Sequence, residues 1–278
     1  MSDLSRNTPP QFFVEPGAVS ASRVYLSGDS LKHATSQRLR PGELFRVVVE
    51  TGEPAEVIEA EVIEVTRRRL AGRICNTYPA EKPPYALHLY PAILKGDKFD
   101  LVVRGATELG VTSITPVIAA RTIPRLDENK LAIRRARWQK LARAAAEQSS
   151  RPFIPEIRQP MRFTDLLAGV TAGLPTGVPG ENPRTVSGTR PHVAGVPVLA
   201  VEKREITKSV AEAVGPAREV SMFIGPEGGF DSGEVELAFE KGLQPVTLGP
   251  YILKAETASL AACAIVIDHI LHGPAVKM

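Results

Sequence analysis

Two runs of this 278-residue chain set glycines and a carboxylate between a strand-like segment and a helix-like one. The first is Phe223-Ile-Gly-Pro-Glu-Gly-Gly-Phe230-Asp231, where Asp231 followed three residues later by Glu234 marks a helix start. Glycines there let the backbone approach a ligand closely, and helix-start amides favour an anionic or carboxylate group. The second run, Leu248-Gly-Pro-Tyr-Ile-Leu-Lys-Ala-Glu-Thr257, lies one strand and helix later and again joins a strand to a helix. Two such loops at the carboxyl ends of neighbouring strands form one crevice, the usual ligand position in an open α/β sheet. The spacing is neither that of the dinucleotide fingerprint nor that of a phosphate-binding P-loop. A glycine-rich turn of this kind serves structure as often as binding, so the residues alone imply a pocket and leave its ligand open.

The remaining reactive side chains are less concentrated. His33, His88, His192, His269 and His272 fall in separate segments without metal-ligand spacing, and we expect surface or packing roles and no metal. Cys75 and Cys263 lie far apart, in strand-like and helix-like surroundings, and are read as reduced core residues.

Charge is distributed unevenly. Residues 86–160 carry 13 basic and 7 acidic side chains, a balance of +6 in a chain whose total is +3. A polyanion would dock there, because neutralising phosphates with Lys and Arg dominates nucleic-acid affinity. Arg121, Arg125, Arg135, Gln148 and Arg151 are the candidate RNA contacts, and an ordinary solvated helix face is the alternative. On the helix expected over Glu128–Gln148, Leu131, Leu141, Ala142 and Ala145 form the apolar stripe, which turns most arginines outward, and Trp138 is assigned to packing.

The elements that must position these residues fall into two groups. Residues 12–78 carry short β-rich runs at 24–26, 44–50, 55–65 and 70–75, separated by turn residues, which implies a small barrel. A helix is expected over 30–38 with Ser30 as its cap. Residues 79–84, with three prolines, read as a linker between domains spanning 1–80 and 85–278. Beyond it strands and helices alternate: strands at 87–94, 113–118, 155–157, 198–201, 220–224 and 245–248, and helices at 98–109, 128–148, 205–214, 232–241 and 255–271. Asp97 and Gly110 are the expected cap and stop of the first of these helices. Such alternation implies an α/β layer fold with a largely parallel sheet. Residues 168–197, rich in Gly, Pro and Thr, lack apolar periodicity and are read as a flexible surface insertion.

With 43% apolar and 23% charged residues the chain is globular in composition, which excludes a fibrous or wholly disordered protein. No stretch is read as the roughly 18 apolar residues of a membrane span, and no signal-like apolar run opens the chain, so a cytoplasmic location is expected.

Four separated motifs carry a resemblance. GPEGGF and LGPYILKAETA, preceded by LKGDKFDLVVRGATELGVTSITPV and AEQSSRPFIPEI, resemble the ribosomal RNA small-subunit methyltransferase E family of the SPOUT superfamily. QFFVEP and HATSQRLRPGE near the start are similar to it too. The resemblance implies a PUA-like barrel followed by an α/β domain whose C-terminal part is tied in a trefoil knot. It implies S-adenosylmethionine as cofactor, held by Gly225, Pro226, Glu227, Gly228 and Gly229 and by Leu248, Gly249, Pro250, Ile252 and Leu253. It further implies a homodimer and, as substrate, uridine N3 in 16S ribosomal RNA or the small ribosomal subunit.

The chain departs from the family pattern at Tyr251, Lys254 and Ala255, and at Gly105, where a Lys is usual; these changes bear on substrate placement. Glu108, Glu227 and Glu256 are the carboxylates nearest the motifs, and a cap or structural acceptor is the alternative role of each. For a uracil N3, a base or a positive group that stabilises the anion helps, which singles out Glu256 and Lys254 as the catalytic candidates. A non-catalytic RNA-binding or assembly factor of the same fold, or a knotted methyltransferase with another RNA target, are the competing readings.

Overall fold

The computed structural model describes residues 8–50, 55–123, 127–170, 193–202 and 207–273. The expected insertion is therefore largely outside the described residues, as are His192 and Arg125. The chain divides into two compact units, Met1–Lys82 with Arg143–Ile154, and Pro83–Ala142 with Pro155–Met278.

The first unit contains β1 (Gln11–Val14), β2 (Val19–Ser20), β3 (Arg23–Leu26), α1 (Gly28–Ser36), β4 (Leu44–Val49), β5 (Glu56–Val65) and β6 (Leu70–Pro79). They form one six-stranded sheet in the order β1-β4-β5-β6-β3-β2, antiparallel except for β1 beside β4. Residue alternation sorts the strands between two buried faces. Phe12, Phe45, Val47, Leu26 and Leu70 enter one core with Leu31 and Ala34 of α1. Phe13, Val48 and Val57 enter another, with Ala146. β4 therefore reads as an almost unbroken apolar run. Gly72 is required where β6 crosses the Phe45 ring, because a Cβ there would lie 2.5 Å from Phe45 Cζ.

The second unit begins with β7 (Ala86–Pro91), α2 (Lys98–Leu109), β8 (Ser113–Ile114), β9 (Val117–Ile118) and α3 (Glu128–Gln148), the last turn and a half of which belongs to the first unit. It continues through β10 (Glu156–Ile157), β11 (Met161–Arg162), α4 (Phe163–Ala168), β12 (Val196–Ala200), α5 (Val210–Val214), β13 (Glu219–Ile224), α6 (Ser232–Glu240), β14 (Gln244–Val246) and α7 (Ala255–His272). Its six-stranded sheet, ordered β10-β8-β7-β13-β12-β14, is wholly parallel, so the mixed α/β class expected from the alternation holds. One side packs Tyr90, Phe163, Leu199, Phe223 and Leu243 together. Toward α7, which lies on β7 and β13 and against α2, Ala262, Cys263 and Val266 are buried.

The chain leaves β7 through α2 toward β8 on one side and leaves β13 through α6 toward β14 on the other. Connections that part in this way open a crevice at the carboxyl ends of the two strands.

Several expectations need correction. Ser30 does not cap α1; Ser27 stands at that position, and Ser30 Oγ donates to the Phe13 carbonyl. Asp97 is the residue before α2 but makes no side-chain cap, because its carboxylate accepts from Arg137. Pro116 lies in the middle of the strand expected at 113–118, which is divided into β8 and β9 on different sheets. α5 begins only at Val210, where Ser209 and Glu212 form a capping box. β1, β11 and α4 have no counterpart among the expected elements, each being too short to show a period. Val193 is buried and Val196 starts β12, so the stretch read as insertion ends earlier than 197.

Cys75 is exposed rather than buried, whereas Cys263 is fully enclosed and burial pushes its thiol up to about 12. On α3 the buried apolar residues are Trp138, Ala142, Ala145 and Ala146, with Leu131 and Leu141 only half-buried. Trp138 packs against Phe99, with ring centroids 4.3 Å apart and the planes tilted by 43°, and donates to Asp100, which fits the packing role assigned to it. Gly105 lies on α2 where a Cβ would sit 2.7 Å from Leu260 of α7. That departure from the family pattern thus serves close helix packing rather than the crevice. α7 is long and apolar enough to cross a membrane by length and composition, contrary to the sequence reading; in this fold it covers the sheet.

Candidate functional site

β13 ends at Ile224 and releases the glycine loop; β14 ends at Val246 and releases the second loop, which runs into α7. Residues 225–229 and 248–256 line one open cleft of about 810 Å³, with Val201 and Glu202 after β12 and Lys98 and Arg121 at its edge. Every residue assigned from sequence to the two loops is therefore brought together, along with Lys254 and Glu256. Glu108, exposed on α2, is not part of this wall.

The glycine loop is held from three sides. At its far end Asp231 and Glu234 form the capping box expected of them, each carboxylate accepting the other's backbone N–H, at 2.8 and 3.1 Å. Glu234 also accepts from the Ala120 N–H at 2.8 Å, which ties the chain after β9 to the start of α6. Arg121 Nη1 donates to the Gly228 carbonyl at 2.9 Å. Glu227 accepts from the Lys95 N–H and from Lys98 Nζ, both at 3.2 Å. Burial pushes the Glu227 carboxyl up, but backbone N–H groups and the Lys98 ammonium outweigh it and hold the group below its ordinary 4.5. The loop turns at Gly229, whose φ of +67° suits glycine.

The second loop is braced by Thr247, whose hydroxyl donates to the Gly249 carbonyl at 2.9 Å and accepts from the Gly249 N–H at 3.3 Å. Gly249 has φ +144°. Tyr251 and Ile252 then stand 83% and 80% exposed, and Lys254 occupies the N-cap of α7 without a side-chain cap bond. Glu256, in the first turn, places Oε2 in a buried position with no hydrogen-bond partner. A buried carboxylate oxygen normally has a donor, so this atom is an unsatisfied acceptor on a residue that lines the cleft.

The candidate RNA contacts are not equally free. Arg135 is half-buried and its Nε donates to the Ile157 carbonyl at 2.7 Å, while Arg121 is bonded to the glycine loop. Arg137 pairs with Asp100, and Arg143 with Glu50 and the Phe13 carbonyl, so both are bonded to the fold, although the Arg137 side chain stays 58% exposed. Gln148 is exposed; Arg151 is half-buried, and its carbonyl accepts from Gln11. Lys98 and Glu234 escape the sequence reading as site residues. Lys98 is visible only once β7 and β13 are known to be neighbours, and Glu234 carries the sequence signature of an ordinary cap. The four described histidines pair with Glu147, with Ser113 and Glu219, with the Gly215 carbonyl and with Asp268, which are packing and surface contacts as expected.

Known proteins resemble this chain in sequence and in overall fold. A curated small-subunit ribosomal RNA methyltransferase E of Aquifex aeolicus is 27% identical over 86% of this chain and 91% of its own length. The Synechocystis protein of the same name is 33% identical over 65% of this chain, and the chain spans 52% of that relative's length. Among solved structures, the Neisseria gonorrhoeae enzyme of that name, bound to S-adenosylmethionine, superposes with a TM-score of 0.73 at 27% identity, covering 95% of this chain and 98% of that one. A Legionella pneumophila protein, also with bound S-adenosylmethionine, gives 0.72 at 25% identity over 94% and 97%. The resemblance read from the four motifs is borne out. A family model described as RNA methyltransferase domain matches residues 81–267, and the chain belongs to that family.

Proposed function

We propose that the cleft binds S-adenosylmethionine and that the chain methylates N3 of a uridine in 16S ribosomal RNA of the small subunit. The observation that carries this reading is Glu256 Oε2, a buried acceptor without a partner in the wall between two glycine loops. Residues 225–229, 248–250, 252 and 253 would hold the cofactor. When bound, S-adenosylmethionine would supply an electrophilic methyl group on a positively charged sulfur, with neutral S-adenosylhomocysteine as the leaving group. Glu256 accepts the N3 proton, which water at neutral pH does not remove. Lys254 faces the negative charge that develops across the flanking carbonyls. Both loops fix the reacting groups in place, and that positioning supplies much of the rate.

RNA phosphates are met by the basic segment, through Arg121, Arg125, Arg135, Gln148 and Arg151. The curled sheet of the first unit acts as a PUA-like RNA-binding barrel, and the C-terminal strands and α7 form the trefoil knot that the family resemblance implies. A homodimer joins two copies through α7, which leaves Ala264, Ile265 and Leu271 exposed on its outer side. A ribosomal substrate places the reaction in the cytoplasm.

The test pairs calorimetry of S-adenosylmethionine with transfer of labelled methyl to small subunits that lack this modification. Binding together with label in RNA is expected. Binding without label would make the protein an assembly factor, and no binding would remove the cleft assignment.

A further inference from the structure

We propose that Tyr251 is a stacking platform for an unstacked RNA base at the mouth of the cleft. The inference rests on the reading of the cleft as an RNA methyltransferase site. Tyr251 is 83% exposed and is the one aromatic among the large exposed apolar side chains of the described residues. An aromatic ring carries a large apolar surface whose burial is strongly favourable, so a ring displayed to water on a cleft wall is suited to receive a flat partner. Its backbone is prepared for display. The Pro250 ring fixes its own φ beside Tyr251, and Thr247 bonds both polar groups of Gly249, so little ordering remains to be done when a partner arrives.

The partner is identified by what surrounds the ring. Lys98, Arg121 and Lys254 line the same cleft with Glu202, Glu227 and Glu256; Glu227 is already paired with Lys98, which leaves Arg121 and Lys254 as the cations that attract a polyanion. A second copy of this chain, with net charge +3, would bring like charge toward them. Sequence-independent base stacking on aromatic rings is how single-stranded RNA is oriented, and Arg planes serve the same purpose. Tyr251 stands where the resembling family usually carries Arg, so the exchange keeps a flat stacking surface and gives up a charge.

The experiment compares Tyr251→Ala and Tyr251→Phe with the parent protein, measuring S-adenosylmethionine affinity, oligomeric state and methyl transfer to small subunits lacking the modification. Tyr251→Ala is expected to lower kcat/KM for the subunits by roughly tenfold to a hundredfold, with cofactor affinity and stoichiometry unchanged. Tyr251→Phe is expected to restore at least half of the parent value. Loss of cofactor affinity, dissociation of an oligomer, failure of Phe to rescue, or an unaltered kcat/KM in Tyr251→Ala would each overturn the inference. If the parent protein itself transfers no methyl, the functional reading fails and Tyr251 loses its role with it.

Discussion

The Arg121 guanidinium donates to the carbonyl oxygen of Gly228 at 2.9 Å, and the adjacent Ala120 N–H is taken by Glu234. A connection that follows β9 is thereby bonded at two points to the loop and helix that follow β13. Arg121→Ala removes one of these bonds, with a net worth of about 1 kcal/mol for an ordinary hydrogen bond and up to about 3 for a charged one. Since Arg121 is exposed, the lower end applies. We expect S-adenosylmethionine affinity to fall by roughly fivefold in calorimetry with little change in melting temperature. An unchanged affinity would mean that the bond does not shape the loop.

Gly228 and Gly229 are neighbours in the sequence and differ in what they tolerate. Gly229 has φ +67°, where an L side chain is strained whatever the space around it. Gly228 has no such φ, and a Cβ there would meet Arg121 only at 3.6 Å, an ordinary contact. The sequence alone does not distinguish the two. Gly229→Val is expected to abolish detectable cofactor binding in a folded protein, while Gly228→Ala retains it within a few fold. Equal tolerance at the two positions in a binding titration would contradict the loop geometry.

Glu234 is 8% exposed and satisfies the backbone N–H groups of Ala120 and Asp231 at once. Glu234→Ala leaves both donors unpaired and costs about 1–3 kcal/mol. The melting temperature should fall by several degrees, and Glu234→Gln, which keeps one carbonyl acceptor, should recover part of the loss. A thermally neutral Glu234→Ala would show that water replaces both bonds.

Glu227 is held below the ordinary 4.5 by its backbone partners and Lys98, against the opposing push of burial. A carboxyl depressed on folding contributes stability above its unfolded pKa, and this is lost as pH falls through the lower folded value. The group is partly exposed, so solvent screening keeps the effect small. Relative to Glu227→Gln, the parent protein should keep its advantage in melting temperature above the ordinary carboxyl value of 4.5 and lose it as pH falls below that value. Identical acid profiles for the two proteins would sink the proposed brace.

The sequence disclosed long periodic elements and chemically distinctive loops, and little that depended on pairing. The bounds of α2 and α3 were legible because their apolar spacing ran for three turns or more, and the Asp231 cap because its partner lies three residues away. β1, at four residues, offered no period, and its parallel partner β4 is more than 30 positions distant. The role of Arg143 was hidden for the same reason: its acceptors, Glu50 and the Phe13 carbonyl, are remote in sequence. The two loops could be named in advance, but the bond between Arg121 and Gly228, and the unpartnered oxygen of Glu256, required coordinates.

The most direct test is mass mapping of small-subunit RNA after incubation with the purified protein and S-adenosylmethionine. One added methyl on N3 of a single uridine is expected, with Glu256→Gln binding cofactor normally and transferring at least tenfold more slowly. A methyl on a ribose or on another base, or none despite bound cofactor, would contradict the assignment of this cleft to uridine N3.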